Sequence, residues 1–198
     1  MVSRAPTTLG YRTSTQPDNW RLQYSPLHID NNNDNDTRPL QLAVPELRLA
    51  RQPALAGIKH CNRLEQVLAR QQLDAMAVDE GVLLDTAGDV IEACAANLFI
   101  LEGDQLLTPE LSQCGVAGVM REQLLQSTAQ RCGLGCAEAT IDLPRLMRCD
   151  GIVLCNSVRG ISTVASVQAE AGQRRDWSIS PELEQLQALV AAQMAGDA

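Results

Sequence analysis

The sequence predicts an α/β domain, a mixed sheet containing a β-meander with helices packed on it. Three observations carry this. Short apolar segments separated by turn residues recur between residues 82 and 107. Apolar residues at helical spacing occupy 62–76, and glycines open and stop a second helix over 119–131. Further apolar and β-branched runs at 151–155 and 161–167 follow the second helix. Strands before and after helices, with no internal repeat, make an α/β arrangement. A chain of 198 residues with 45% hydrophobic content can bury one sizeable core.

The elements follow in order. Trp20-Arg21-Leu22-Gln23-Tyr24 reads as a strand, and the polar run Asp30–Asp36 as an exposed loop, since it has nothing to bury. Leu40–Val44 alternates as a strand does and stops at Pro45; a short extended stretch continues to Arg51. From Asn62 to about Met76 an amphipathic helix is expected. Leu64, Val67, Leu68 and Ala75 share its apolar face, while Arg63, Gln66, Arg70 and Asp74 lie on others.

Val82–Leu84, Asp89–Glu92, Asn97–Leu101 and Gln105–Leu107, divided by Thr86-Ala87-Gly88 and Gly103-Asp104, form the expected meander. Gly115–Gly118 opens a helix from about Val119 to Arg131 that Gly133 stops. A strand near Ala137–Ile141, a short helix around Pro144–Met147 and strands at Gly151–Cys155 and Ile161–Val167 come next. The last helix runs from Pro181 to about Met194, capped by Ser180, with Pro181 at its first position and Glu182 in its first turn.

Composition narrows the function. A net charge of −8 without a basic stripe argues against a nucleic-acid partner. Met1–Pro6 lacks the apolar core of a signal peptide, and no run reaches the roughly eighteen apolar residues of a membrane span, so a cytoplasmic protein is expected. The seven cysteines are scattered without a Cys-x-x-Cys, which fits thiols in a reducing compartment. With His28 and His60 the only histidines, no zinc-ligand spacing is present, and no metal is expected. Cys132 and Cys136, flanking Gly133-Leu134-Gly135, read as small apolar fillers around a helix-ending turn.

Four segments carry chemistry. In Gly57-Ile58-Lys59-His60-Cys61-Asn62-Arg63-Leu64-Glu65, a lysine sits between a small-residue turn and a helix, fixed yet reachable, where it can form a Schiff base. Glu92 is a carboxylate within an apolar strand and turn, and a buried carboxylate needs a partner. Gly115-Val116-Ala117-Gly118-Val119-Met120-Arg121 is a glycine turn into a helix, whose free N–H groups can hold a phosphate dianion. Asn156-Ser157-Val158-Arg159-Gly160 is a turn following a buried strand.

Together these motifs resemble the class IV (fold type IV) pyridoxal-phosphate enzymes, which include branched-chain and D-amino-acid aminotransferases and aminodeoxychorismate lyases. The likeness is nearest to the lyases, whose segment also reads Gly-Ile-Lys-His followed by Asn-Arg-Leu-Glu. The resemblance implies the large, C-terminal domain of that fold over 14–198, with 1–13 a remnant of the interdomain linker, and a homodimer. It implies that Lys59 forms a Schiff base with pyridoxal 5'-phosphate and moves protons. Glu92, matching Glu-x-x-x-x-Asn with Asn97, would pair with the pyridine nitrogen. The backbone amides of Val119 and Met120 would bind the phosphate, with Asn156 and Ser157 as a second contact. Tyr11 and Arg159 would meet the substrate.

The implied activity is conversion of 4-amino-4-deoxychorismate to 4-aminobenzoate and pyruvate in folate biosynthesis. A class IV aminotransferase shares Lys59 and Glu92 and is the competing enzyme. The resemblance leads to the expectation that the family's smaller N-terminal domain is missing, and the family's hinge Arg-Gly-Tyr is matched by Leu9-Gly10-Tyr11. A third expectation is therefore a large-domain fragment with little activity, whose open cofactor face leaves apolar surface exposed.

Overall fold

The structure is a computed structural model that describes residues 38–169 and 172–196, together with the backbone of residues 2–3 and 19–20. The chain divides into two compact units, Met1–Asp36 and Thr37–Ala198. In the first, strands β1 (Val2–Ser3) and β2 (Asn19–Trp20) pair antiparallel. Of the strand expected over Trp20–Tyr24, Trp20 is the last residue of β2, while Arg21–Tyr24, the polar run 30–36 and Tyr11 lie outside the described residues.

The second unit is built on one mixed sheet. Its strands are β3 (Leu40–Ala43), β4 (Arg48–Leu49), β5 (Glu80–Asp85), β6 (Val90–Ala93), β7 (Asn97–Glu102), β8 (Gln105–Pro109), β9 (Gly135–Ala139), β10 (Gly151–Asn156), β11 (Gly160–Gln168) and β12 (Arg174–Asp176). Along the main path the order is β4-β5-β3-β11-β10-β7-β8-β9, with β6 on β5 and β12 on β11. β3 lies parallel to both β5 and β11, and β8 is parallel to β9.

The helices are α1 (Leu64–Asp74), α2 (Val119–Gln123), α3 (Leu143–Leu146) and α4 (Pro181–Ala195). The helical run that α2 opens widens to π geometry over Leu124–Thr128, tightens to a 3-10 turn over Gln130–Cys132 and ends at Gly133. Ser180 caps α4 by accepting from Leu183 N at 3.4 Å. Among the described residues no helix is long and apolar enough to cross a membrane.

Strand alternation sorts the core. On β7, Leu98 and Ile100 point to one face with Ile152 and Leu154 of β10, Val164 of β11 and Leu42 of β3. Phe99 and Leu101 point to the other with Val153 and Cys155, under Met120, Leu124, Leu183, Leu186 and Val190. A third cluster joins Leu83 and Ile91 to Ala69 of α1, with Leu49, Leu111 and Cys114. Cys132 and Cys136 pack half-buried against the second cluster, as small fillers do.

Three expectations are corrected. The meander is two antiparallel hairpins, β5–β6 and β7–β8, and β7 takes β10 as its other neighbour instead of β6. β7 is apolar on both faces, which requires a central position beside an equally buried strand. The strand expected near Ala137–Ile141 starts two residues earlier, because Gly135 N–H donates to Asp104 O and registers β9 with β8 from its first residue.

The third correction concerns α1. Its buried residues are Ala69 and Leu73, whereas Leu64 (62% exposed), Val67 (53%) and Leu68 face outward, and Ala75 is exposed just past the helix. Gly81 of β5 makes the inward packing possible, since a Cβ there would lie 2.4 Å from Leu73 Cδ1. The sequence reading also contained no strand at β12, whose three residues are charged and exposed.

Candidate active site

Lys59 stands at the centre of a three-residue turn closed by His60 N–H on Ile58 O at 3.1 Å. The turn is anchored from behind: Gly57 N donates to Gly115 O at 2.9 Å and Gly57 O accepts from Ala117 N at 3.1 Å. The side chain of Lys59 is exposed. The backbone is held while the amine is reachable.

Glu92, on β6, is 4% exposed. Its Oε2 accepts from Val116 N at 2.8 Å, and its Oε1 accepts from Gln66 Nε2 at 3.4 Å and faces Arg63 Nη1 at 3.8 Å. Burial pushes the carboxyl above the usual range, opposed by the Val116 N–H, the Arg63 charge, the Gln66 hydrogen bond and the Lys59 charge. Asn97, at the start of β7, donates to Val116 O at 2.7 Å. The Glu-x-x-x-x-Asn spacing therefore places two side chains on one residue's N–H and C=O.

That residue lies in the glycine loop. Gly115 has φ +88°, and a Cβ there would meet Ile91 Cγ2 at 2.7 Å and Leu111 Cδ2 at 2.8 Å. At Gly118 the obstacle would be Asn97 Oδ1, at 2.3 Å. α2 then begins, and the N–H groups of Val119 and Met120 fall in its first turn, where a helix supplies no acceptor of its own. The Val119 side chain is exposed and that of Met120 buried. Arg121, the next residue, is 5% exposed and donates to Thr108 Oγ1, Pro109 O and Glu138 Oε1.

Asn156 shapes its own turn by accepting from Val158 N and Arg159 N, at 3.0 and 2.8 Å, and donates to Ala95 O at 3.2 Å. Ser157 is exposed. Arg159 is exposed too and lines a cleft of about 240 Å³ with Leu40, Arg70, Glu80, Ala95 and Asn156. The four segments are thus stitched together: the lysine turn to the glycine loop, the loop to Glu92 and Asn97, and Asn156 to the turn between those two.

Arg63, Gln66 and Arg121 escaped the sequence reading. The first two fall on what looked like a solvated helix face, yet that face reaches Glu92. A usable signal was their spacing, since 63 and 66 are one turn apart and share a side of the helix. Nearby, His60 Nδ1 and Gln66 Oε1 are buried without a hydrogen-bond partner beside a cavity of about 330 Å³.

Comparison with known proteins places this arrangement. The family described as amino-transferase class IV matches residues 1–167. An aminodeoxychorismate lyase from Vibrio harveyi is 41% identical over 132 residues, covering 67% of this chain and 48% of that protein. The crystal structure of 4-amino-4-deoxychorismate lyase from Pseudomonas aeruginosa superposes with a TM-score of 0.71 at 36% identity, over 81% of this chain and 56% of that one. A branched-chain amino acid aminotransferase from Thermobaculum terrenum, solved in its PLP-form, shares the fold with a TM-score of 0.72 at 18% identity, over 84% and 54%. The chain spans about half the length of the relatives it matches. The mixed sheet is that of the C-terminal domain of fold-type-IV enzymes, and the chain belongs to the class IV aminotransferase family.

Proposed function

We propose that the protein is an aminodeoxychorismate lyase that uses pyridoxal 5'-phosphate, works in the cytoplasm as a homodimer and releases 4-aminobenzoate and pyruvate from 4-amino-4-deoxychorismate. The observation that supports this most is the pairing of a reachable Lys59 with a buried Glu92 on a common glycine loop. The identity to the Vibrio harveyi lyase favours the lyase reaction over transamination. The scatter of the seven cysteines, with no Cys-x-x-Cys, agrees with a reducing compartment. The apolar side chains exposed around the lysine turn, Leu55, Ile58, Leu64, Val67 and Leu68, suit a second subunit.

The residues fit the cofactor. Lys59 offers an amine for its aldehyde. Glu92 keeps acceptor capacity on Oε1, whose hydrogen bond from Gln66 is a long one at 3.4 Å. The first-turn N–H groups of Val119 and Met120, with Asn156 and Ser157 as a second contact, suit a phosphate dianion. When bound, pyridoxal phosphate supplies a conjugated sink for the electrons released at the substrate carbon.

The chain's own residues do the rest. Lys59 takes the proton from the amine-bearing ring carbon, and cleavage of the ring carbon–oxygen bond then aromatises the ring and frees the enolate of pyruvate. Lys59 returns that proton to the enolate's methylene carbon, giving pyruvate. Glu92, as a carboxylate, holds positive charge at the ring nitrogen. Arg159 meets a substrate carboxylate. The reaction is redox-neutral and needs no amino acceptor.

The test is purification with pyridoxal phosphate, borohydride reduction and peptide mapping, then assay of pyruvate release. Cofactor fixed on Lys59, lost in Lys59→Ala, with pyruvate formed from aminodeoxychorismate alone, supports the reading. Turnover of a branched-chain amino acid with 2-oxoglutarate, or bound cofactor without pyruvate release, overturns it.

A further inference from the structure

We propose that Arg63 is a positioning residue that ties the backbone on both sides of Lys59 to the Glu92 carboxylate, fixing the distance between the amine and the acid. The inference rests on the cofactor reading above.

The geometry is specific to the guanidinium. Arg63 Nε donates to His60 O at 3.1 Å and Nη2 to Ile58 O at 3.5 Å, so one fork grips the carbonyls flanking Lys59. Its third nitrogen, Nη1, faces Glu92 Oε1 at 3.8 Å. A lysine ammonium on a flexible stem cannot present three donors in this fixed plane. The charged groups acting on Glu92 are Arg63 and Lys59, which stabilise its ionised form; the Cys114 thiol is raised mainly by burial, then by the Asp85 and Glu92 charges.

The position is a poor one for an arginine by local rules. Arg63 is the N-cap of α1, where Ser, Thr, Asp or Asn normally accepts from the first turn, and it makes no side-chain cap hydrogen bond. A cation there also opposes the helix dipole. A residue that forgoes the cap and faces the wrong pole is explained by what it holds outside the helix, here the lysine turn and the acid.

The consequence is mechanical. Lys59 and Glu92 sit on different elements, a loop and a strand, and a cofactor bound to both tolerates only a small error in their separation. The glycine loop fixes Gly57 from one side. Arg63 fixes Ile58 and His60 from the other.

The experiment uses the full chain, with and without pyridoxal phosphate, as wild type, Arg63→Lys and Arg63→Gln. Hydrogen exchange is read at the Ile58 and His60 amides, and the Glu92 carboxyl is titrated by infrared difference against Glu92→Gln. In Arg63→Gln, exchange should rise about tenfold or more, the size of a lost charge-assisted hydrogen bond, and the Glu92 titration should move upward. Arg63→Lys should restore the titration but not the exchange. Unchanged exchange in either variant, or an unmoved titration in a folded Arg63→Gln, overturns the proposal. If Arg63→Gln does not fold, exchange in Arg63→Lys decides. A wild type that binds no cofactor at Lys59 ends the cofactor reading alone, because exchange and titration are read without it.

Discussion

Glu92 and Asn97 hold opposite ends of the same residue: Glu92 Oε2 accepts the N–H of Val116, and Asn97 Nδ2 donates to its C=O. The five-residue spacing that marks the family is thus the length of chain needed to leave β6, turn through Cys94–Ala96 and return at β7 beside the same loop. A buried acid is kept in place by backbone, and the loop is kept in place by the acid. Position and charge are fixed together.

Gly115 is where that loop is least tolerant. A Cβ forces both a left-handed φ on alanine and contacts under 3 Å with Ile91 and Leu111. Gly115→Ala should cost about 1–3 kcal/mol in urea unfolding and weaken pyridoxal-phosphate binding at the same time. A variant that loses stability yet binds cofactor as tightly as wild type would separate the loop from the site.

Glu92 gives a pH dependence of known sign. Burial holds its folded-state pKa above the unfolded value, so its contribution is fully present below the unfolded pKa and is lost as pH rises through the folded one. Glu92→Gln keeps an oxygen for Val116 N–H and removes the charge. The cofactor-free variant should therefore lose this decline of stability with rising pH and be at least as stable as wild type at neutral pH. Melting curves from pH 4 to 8 check this; a variant whose stability falls over that window as steeply as wild type contradicts it.

Much of this site was legible as sequence because its residues are locally improbable. A lysine between a tight turn and a helix, an acid among apolar neighbours and glycines before a helix each break a local rule. Pairing was less legible. That β7 joins β10 across fifty residues depends on two strands being apolar on both faces, which periodicity marks as buried without naming the partner. Arg63 and Gln66 were hidden because polar residues on an amphipathic helix ordinarily face water, and only the fold shows that this polar face meets Glu92.

The thiols should label in a predictable order. Burial pushes Cys94, Cys114, Cys149 and Cys155 up to about 12 and Cys136 to about 11, so almost none of these is thiolate at neutral pH. Cys61 is exposed, two residues from Lys59. Native iodoacetamide labelling followed by mass spectrometry should find Cys61 modified first and Cys94, Cys114, Cys136, Cys149 and Cys155 only on unfolding. Prior loading with pyridoxal phosphate should slow Cys61 if the cofactor covers the lysine turn.

The two faces of α1 make opposite claims about which residues are core. By spacing alone, Leu64, Val67 and Leu68 form the apolar stripe that a surface helix normally buries. In the fold they point outward, and Ala69 and Leu73 do the packing, with Gly81 opened to receive Leu73. Leu73→Ala should therefore cost about 2–5 kcal/mol, because the side chain is fully buried and β5 behind it cannot collapse into the space. Leu68→Ala and Val67→Ala should stay within about 0.5 kcal/mol in the monomer, as surface substitutions do. Ala69→Leu should destabilise by about 1–3 kcal/mol through overpacking. If Leu68 and Val67 instead prove costly under conditions where the chain is dimeric, and cheap where dilution makes it monomeric, the outward stripe is buried by a second subunit. Urea titrations at two protein concentrations distinguish the cases, since only an interface residue has a cost that depends on concentration.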